Sequence, residues 1–133
     1  MRLRTLAMID SLGRAALGAV VLVAPGWVGS TWIGPVAHDP RVRVLVRALG
    51  ARDLALGLGT ARAIVDGDPA PWLLASGAAD AVDFGATLAA RDVLAPRSAA
   101  ATLGLAGGSA LLCLAAGLRA DRGNDGEEGT GPY

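Results

Sequence analysis

No lysine occurs in this chain of 133 residues: all twelve basic side chains are arginine, and twelve acids balance them to a formal net charge of zero. A chain held to nucleic acid by phosphate contacts needs a basic surplus, so nucleic acid is excluded as a partner. The single cysteine, Cys113, can form no internal disulfide, no CxxC redox pair and no thiolate metal cluster. His38 is the only histidine, and its place beside Asp39 at a helix start reads as a loop contact, not a zinc ligand. Ser76, Thr87 and Ser109 have no histidine to activate them, which removes a nucleophilic triad. The glycines of LGLGT lie inside an apolar helix with no preceding strand and no lysine, so they make no phosphate loop. No catalytic residue, cofactor or metal is assigned, and the expectation is a protein that is not an enzyme.

What is abundant is apolar. The hydrophobic fraction is 53%, at or above the upper end for water-soluble domains, and it makes the lipid bilayer the first partner to consider. Four segments carry it, at about residues 3–23, 40–65, 69–90 and 98–118. The fourth, SAAATLGLAGGSALLCLAAGL, runs 21 residues without a charge, enough helix to cross a hydrocarbon core of roughly 30 Å. A water-soluble bundle is the competing arrangement, and this unbroken run argues against it. The N-terminus begins like a signal peptide, but Asp10 and Arg14 interrupt its apolar region and Pro25 falls where small residues are wanted, so retention is expected.

Punctuation between the segments is local and mechanistic. Asp39-Pro40 and Asp68-Pro69 pair an N-cap acceptor with a residue that has no N–H to satisfy, which starts a helix. Ala24-Pro25-Gly26 breaks the first segment, and a loop with Trp27 and Trp32 at the membrane interface is expected after it. Residues 119–133, RADRGNDGEEGTGPY, have no apolar periodicity and read as a disordered polar tail. Short connections make consecutive helices antiparallel. The predicted fold is therefore all-α, an integral membrane up-down-up-down four-helix bundle.

The stretch RALGARDLALGLG sets the problem for such a bundle. Each Arg or Asp near a helix centre costs about 2.5–3.5 kcal/mol on insertion, so Arg47, Arg52 and Asp53 together cost roughly 8–10 against about 4–5 returned by the apolar residues. Asp80 and Asp83 stand three residues apart on one face of the third segment, and a hairpin turning near Gly67 sets them level with Arg52 and Asp53. Arg52 is expected to pair with Asp80 or Asp83, and Asp10 with Arg14 at i and i+4. At about 100° per residue Arg47, Arg52 and Asp53 cannot share a face, so Arg47 is expected to reach for the headgroups unless the second helix is fully enclosed. Gly77, Ala81 and Gly85, with Gly104 and Gly108 as a GxxxG, are the expected helix-packing positions.

Two readings of these charges follow. One is a neutralised network that sets helix register in a structural or accessory subunit. The other is a proton- or ion-coupled small-molecule transporter or channel-like module acting as a dimer. In either, a second copy or a partner membrane protein would pack on the small-residue faces.

Arg47, Gly50, Arg52, Asp53 and Gly57, followed by Asp80 and Asp83, give the chain a resemblance to small four-helix bacterial integral membrane proteins of uncharacterised function, loosely DoxX-like. Over about residues 3–118 the resemblance implies a four-span protein of the bacterial plasma (inner) membrane, and it implies no activity. Small multidrug exporters share the size and span number, but a glutamate in the first helix is missing here, where Asp10 and Arg14 stand instead. Orientation rests on Arg2, Arg4, Arg62, Arg119 and Arg122 on one side against Arg41, Arg43, Arg91 and Arg97 on the other, which favours cytoplasmic termini by one residue.

Overall fold

Asp39 shows how the chain starts a helix. Its backbone is extended, its carboxylate accepts from the Arg41 N–H at 2.8 Å, and Pro40 fills the first helical position. The helix it starts, α3, runs Pro40–Asp66 and ends at Gly67, whose φ of 95° is the left-handed C-cap that glycine adopts without strain. In this computed structural model, which describes the backbone of residues 3–128 and the side chains of 3–122, the described residues are all-α. The elements are α1 (Leu3–Val23), α2 (Pro25–Ile33), a 3-10 turn (Gly34–His38), α3, α4 (Ala70–Ala89) and α5 (Pro96–Glu128).

Three expectations change. The segment after Pro25 is not a loop: Pro25 occupies the first turn of α2, so the residue that stops one helix opens the next. At the α3–α4 connection Asp68 does not cap α4. The Gly67 and Asp68 N–H groups both bond to Ala63 O, closing α3, and Pro69 takes the N-cap position without a side-chain bond. The tail expected from residue 119 is helical through Glu128, continuing α5 from a helix already nucleated, where each added residue costs little to propagate. Residues 129–133 of that tail lie outside the described residues.

The long helices pack as two tight pairs, α1 with α3 and α4 with α5, with lighter contacts joining the pairs. In the first pair Arg4 reaches Ile64 O, Ser11 lies by Gly57 and Gly18 lies by Gly50, so the helices run antiparallel. In the second, Gly117 lies by Leu74, Gly77 by Leu114 and Gly107 by Phe84, again antiparallel. A Cβ on Gly18 would collide with the α3 backbone at Leu54 and Gly50, and one on Gly57 would sit 2.5 Å from Ser11 O. These are the glycines that let α1 and α3 touch.

The interior is built mainly of small residues, and many large apolar side chains lie on the outside. Its largest fully buried side chains are Thr60, Cys113, Ser11 and Ser76, while Leu111 is 74% and Leu105 72% exposed. At the end where the N-terminus lies, Ala7, Ile64, Leu73, Cys113 and Ala116 close the core. Two helices are long and apolar enough to cross a membrane, α1 and the Pro96–Arg122 part of α5. The charges that α3 and α4 carry lower the mean hydropathy of their most apolar stretches below that of the ones in α1 and α5.

Candidate functional site

Arg14 projects from α1 beside the buried stripe Ala7, Ser11, Ala15 and Gly18, and its guanidinium joins four helices. Nη2 donates to Asp80 Oδ2 on α4 and to Ser109 Oγ on α5 at 3.2 Å, and Nη1 donates to Asp53 Oδ1 on α3 at 3.4 Å. The Arg14 and Asp80 side chains are only 8% and 7% exposed. Arg52, on α3, makes a two-pronged pair with Asp83 at 3.1 and 2.5 Å. Its Nε and Nη2 also reach Asp53 Oδ1, at 3.2 and 3.0 Å. Of the two acids offered to Arg52 by the sequence, it takes Asp83, and Asp80 is taken by Arg14.

The Asp10–Arg14 pair along α1 does not form. Asp10 Oδ2 accepts from Ser109 Oγ at 3.0 Å and from the weak thiol donor Cys113 Sγ at 3.4 Å. Arg14 is drawn instead to the interior acids, where two carboxylates on other helices offer charge-assisted bonds shielded from water. Arg47 is also outside the network. It is exposed and shares a shallow groove with Trp27, His38 and Arg43, so the angular constraint along α3 is met by turning Arg47 outward. The cluster thus holds two guanidiniums, Arg14 and Arg52, against four carboxylates, Asp10, Asp53, Asp80 and Asp83.

Of the expected packing positions, Gly77 lies in the α4–α5 interface, where a Cβ would be 2.7 Å from Leu114 Cγ. Gly85, Gly104 and Gly108 have nothing within 4 Å of a Cβ, and Ala81 is exposed. Close contacts fall also on Gly18, Gly50 and Gly57 between α1 and α3, on Gly59 beside Trp72, on Gly29 beside Ala37, and on Gly107 and Gly117 between α4 and α5. The signal for the α1–α3 contacts was the seven-residue spacing of Gly50 and Gly57, and the small residues Ala7, Ser11, Ala15 and Gly18 that face them. Ser109 and Cys113 also went unassigned, although their i, i+4 spacing puts both on the face that meets Asp10.

Beyond the cluster, toward α2, the helix pairs separate around a cavity of about 500 Å³. The six charged groups and Ser109 line one end, and Leu17, Val21, Val46, Leu49 and Leu105 line the walls. Trp32 and Val28 of α2 line the other end, and Ser98 Oγ donating to Thr31 O at 2.7 Å ties the start of α5 to α2. Among the described residues no three His, Cys, Asp or Glu side chains are grouped to hold a metal ion. No family model, curated protein or solved structure matches the chain.

Proposed function

We propose that the chain is a small multi-pass protein of the bacterial inner membrane, DoxX-like in kind, whose four long helices all span the bilayer. In this reading it is a structural or accessory subunit, not an enzyme, and the Arg/Asp cluster holds its helices in one register. One observation carries the reading: the interior is made mainly of small residues and also holds Ser11, Thr60, Ser76, Asp80 and Thr87, while many Leu and Val side chains lie on the outer faces. In water that arrangement leaves Leu and Val unburied and hides Thr, Ser and Asp. In lipid it places each where it is most stable, with small residues letting helices touch.

The cluster accounts for how α3 and α4 enter the bilayer despite their charges. Arg14 supplies α3 and α4 with a cation from α1, and Arg52 pairs α3 with α4. A single Arg contacting three other helices restricts sliding and rotation of all four, which is the registry role attested for buried ionic groups. Of the residues that carry the DoxX-like resemblance, Gly50 and Gly57 seat α1, and Arg52, Asp53, Asp80 and Asp83 belong to the cluster. Outward-facing Gly85, Gly104 and Gly108 are then free to receive a second copy or a partner membrane protein.

The testing experiment compares wild type with Asp80→Asn after reconstitution into liposomes, reading thermal stability and proton or cation flux. The expected result is a lower unfolding midpoint for the variant and no flux from either protein. A wild-type flux that disappears in a still-folded Asp80→Asn would replace this reading with the ion-coupled transporter.

A further inference from the structure

Charge counting around the cavity leaves two carboxylates over. Asp80 neutralises Arg14, and Asp83 neutralises Arg52 through the two-pronged pair. Asp53 then lies between two arginines that are already matched, and it receives all its hydrogen bonds on Oδ1. Asp10 has no cation among the described residues, and it receives its bonds on Oδ2. The second oxygen of each, Asp10 Oδ1 and Asp53 Oδ2, accepts no hydrogen bond among the described residues, and both residues line the cavity. Four carboxylates against two guanidiniums leave the cluster with an excess of negative charge beside the cavity even though Asp53 touches both arginines, and that excess favours a cation there.

A separate observation shows that the cavity also lacks an acceptor. Arg14 Nε, on a side chain only 8% exposed, and Trp32 Nε1 are buried without a hydrogen-bond partner among the described residues. Both residues line the same space, Arg14 at its charged end and Trp32 at its apolar end. A buried N–H left unpaired is unfavourable; both groups are closed off as the side chains stand, and a small rotation toward the cavity would let a ligand oxygen satisfy either one.

We propose that the cavity binds a small amphiphilic monocation: a protonated amine with an apolar body and an oxygen acceptor. The ammonium sits against Asp10 and Asp53, the body lies along Val21, Val46 and Leu49, and the oxygen accepts from Arg14 Nε or Trp32 Nε1. A bare metal ion would leave the apolar walls unfilled and would find no grouped set of ligands among the described residues. A volume of about 500 Å³ with mostly apolar lining and a few convergent polar groups is that of a small-molecule site. The inference goes beyond the structural reading and does not depend on it, since a ligand can be held in the core whether or not ions cross.

Procaine is a suitable probe, with a protonated tertiary amine, an aromatic ring and an ester carbonyl; benzocaine keeps the ring and ester without the amine. Both are titrated calorimetrically into full-length protein in nanodiscs, with empty nanodiscs subtracted. Procaine is expected to saturate a single site and to bind at least about tenfold tighter than benzocaine, through the charge pairing. Asp10→Asn breaks no ion pair and should bring procaine down to the benzocaine level. Gly13→Leu is the occlusion control: Gly13 lines the cavity, a Cβ there meets nothing within 4 Å, and the added side chain should abolish binding of both probes. Absence of saturable procaine binding, equal wild-type affinity for the two probes, or procaine binding unchanged by either substitution overturns the proposal.

Discussion

Arg14 of α1 donates to Asp80 of α4 with both side chains more than nine-tenths buried, and this ion pair is the most enclosed in the described chain. Arg52 and Asp83 form the geometrically better fork, yet they are 31% and 26% exposed. Burial decides which pair matters more, because an acid left alone away from water cannot be solvated in place of its lost partner.

Arg14→Leu is therefore expected to destabilise the folded protein by about 3–5 kcal/mol, the cost of stranding a buried charge. Arg52→Leu should cost clearly less. Adding Asp80→Leu to Arg14→Leu should recover part of the loss, and Asp83→Leu should do the same for Arg52→Leu. Unfolding midpoints in a mixed detergent titration measure all four. No recovery in the first double variant would show that Asp80 is not the acid that Arg14 holds.

The glycines divide into two groups with opposite expectations. Gly18→Ala drives a methyl into the α3 backbone and should destabilise by about 1–3 kcal/mol. Gly104→Ala and Gly108→Ala add a methyl to open space within a helix and should be neutral or stabilising by up to about 1 kcal/mol. If either of the latter two lowers the midpoint in a manner that depends on protein concentration, the outward GxxxG is an interface between copies.

Helix boundaries offer a third check. Gly67 has a positive φ, and Gly67→Ala should cost about 1 kcal/mol through backbone strain alone. Asp39→Ala removes the acceptor for Arg41 N–H and should cost a similar amount, about 1 kcal/mol. The two sites share no partner, so the double variant should show the sum of the two effects, and a coupled result would mean that α3 does not behave as one rigid rod.

Topology can be read directly. A reporter fused after Tyr133 is expected to give a cytoplasmic signal, and an alkaline wash of the membranes should leave the protein in the pellet. A periplasmic signal would invert the proposed orientation. Release by the wash would remove the multi-pass reading altogether.

How much of this was legible differs by element. The start of α3 at Pro40 and its end before Gly67 were readable because capping is a contact between neighbours in sequence. The helical course of Pro25–Ile33 was not, since proline marks both the end of one helix and the first turn of another. The acids Asp80 and Asp83 were recognisable as partners for arginine from depth alone. Asp10–Arg14 was misassigned because i, i+4 spacing states only that two side chains can meet, not that each lacks a better partner elsewhere.

The residue order by itself determined that the chain is helical, where its long helices lie and that charged side chains must find one another inside it. These follow from hydrophobic periodicity, capping and the cost of unpaired charge, all of which act along or near one segment. Only the tertiary structure decided that α1 packs on α3 and α4 on α5, that Arg14 joins Asp80 and Asp53 instead of Asp10, and that the cluster faces a cavity with more acids than arginines. Those outcomes depend on which small residues let two backbones approach. That is a property of paired surfaces, and no single helix carries it alone.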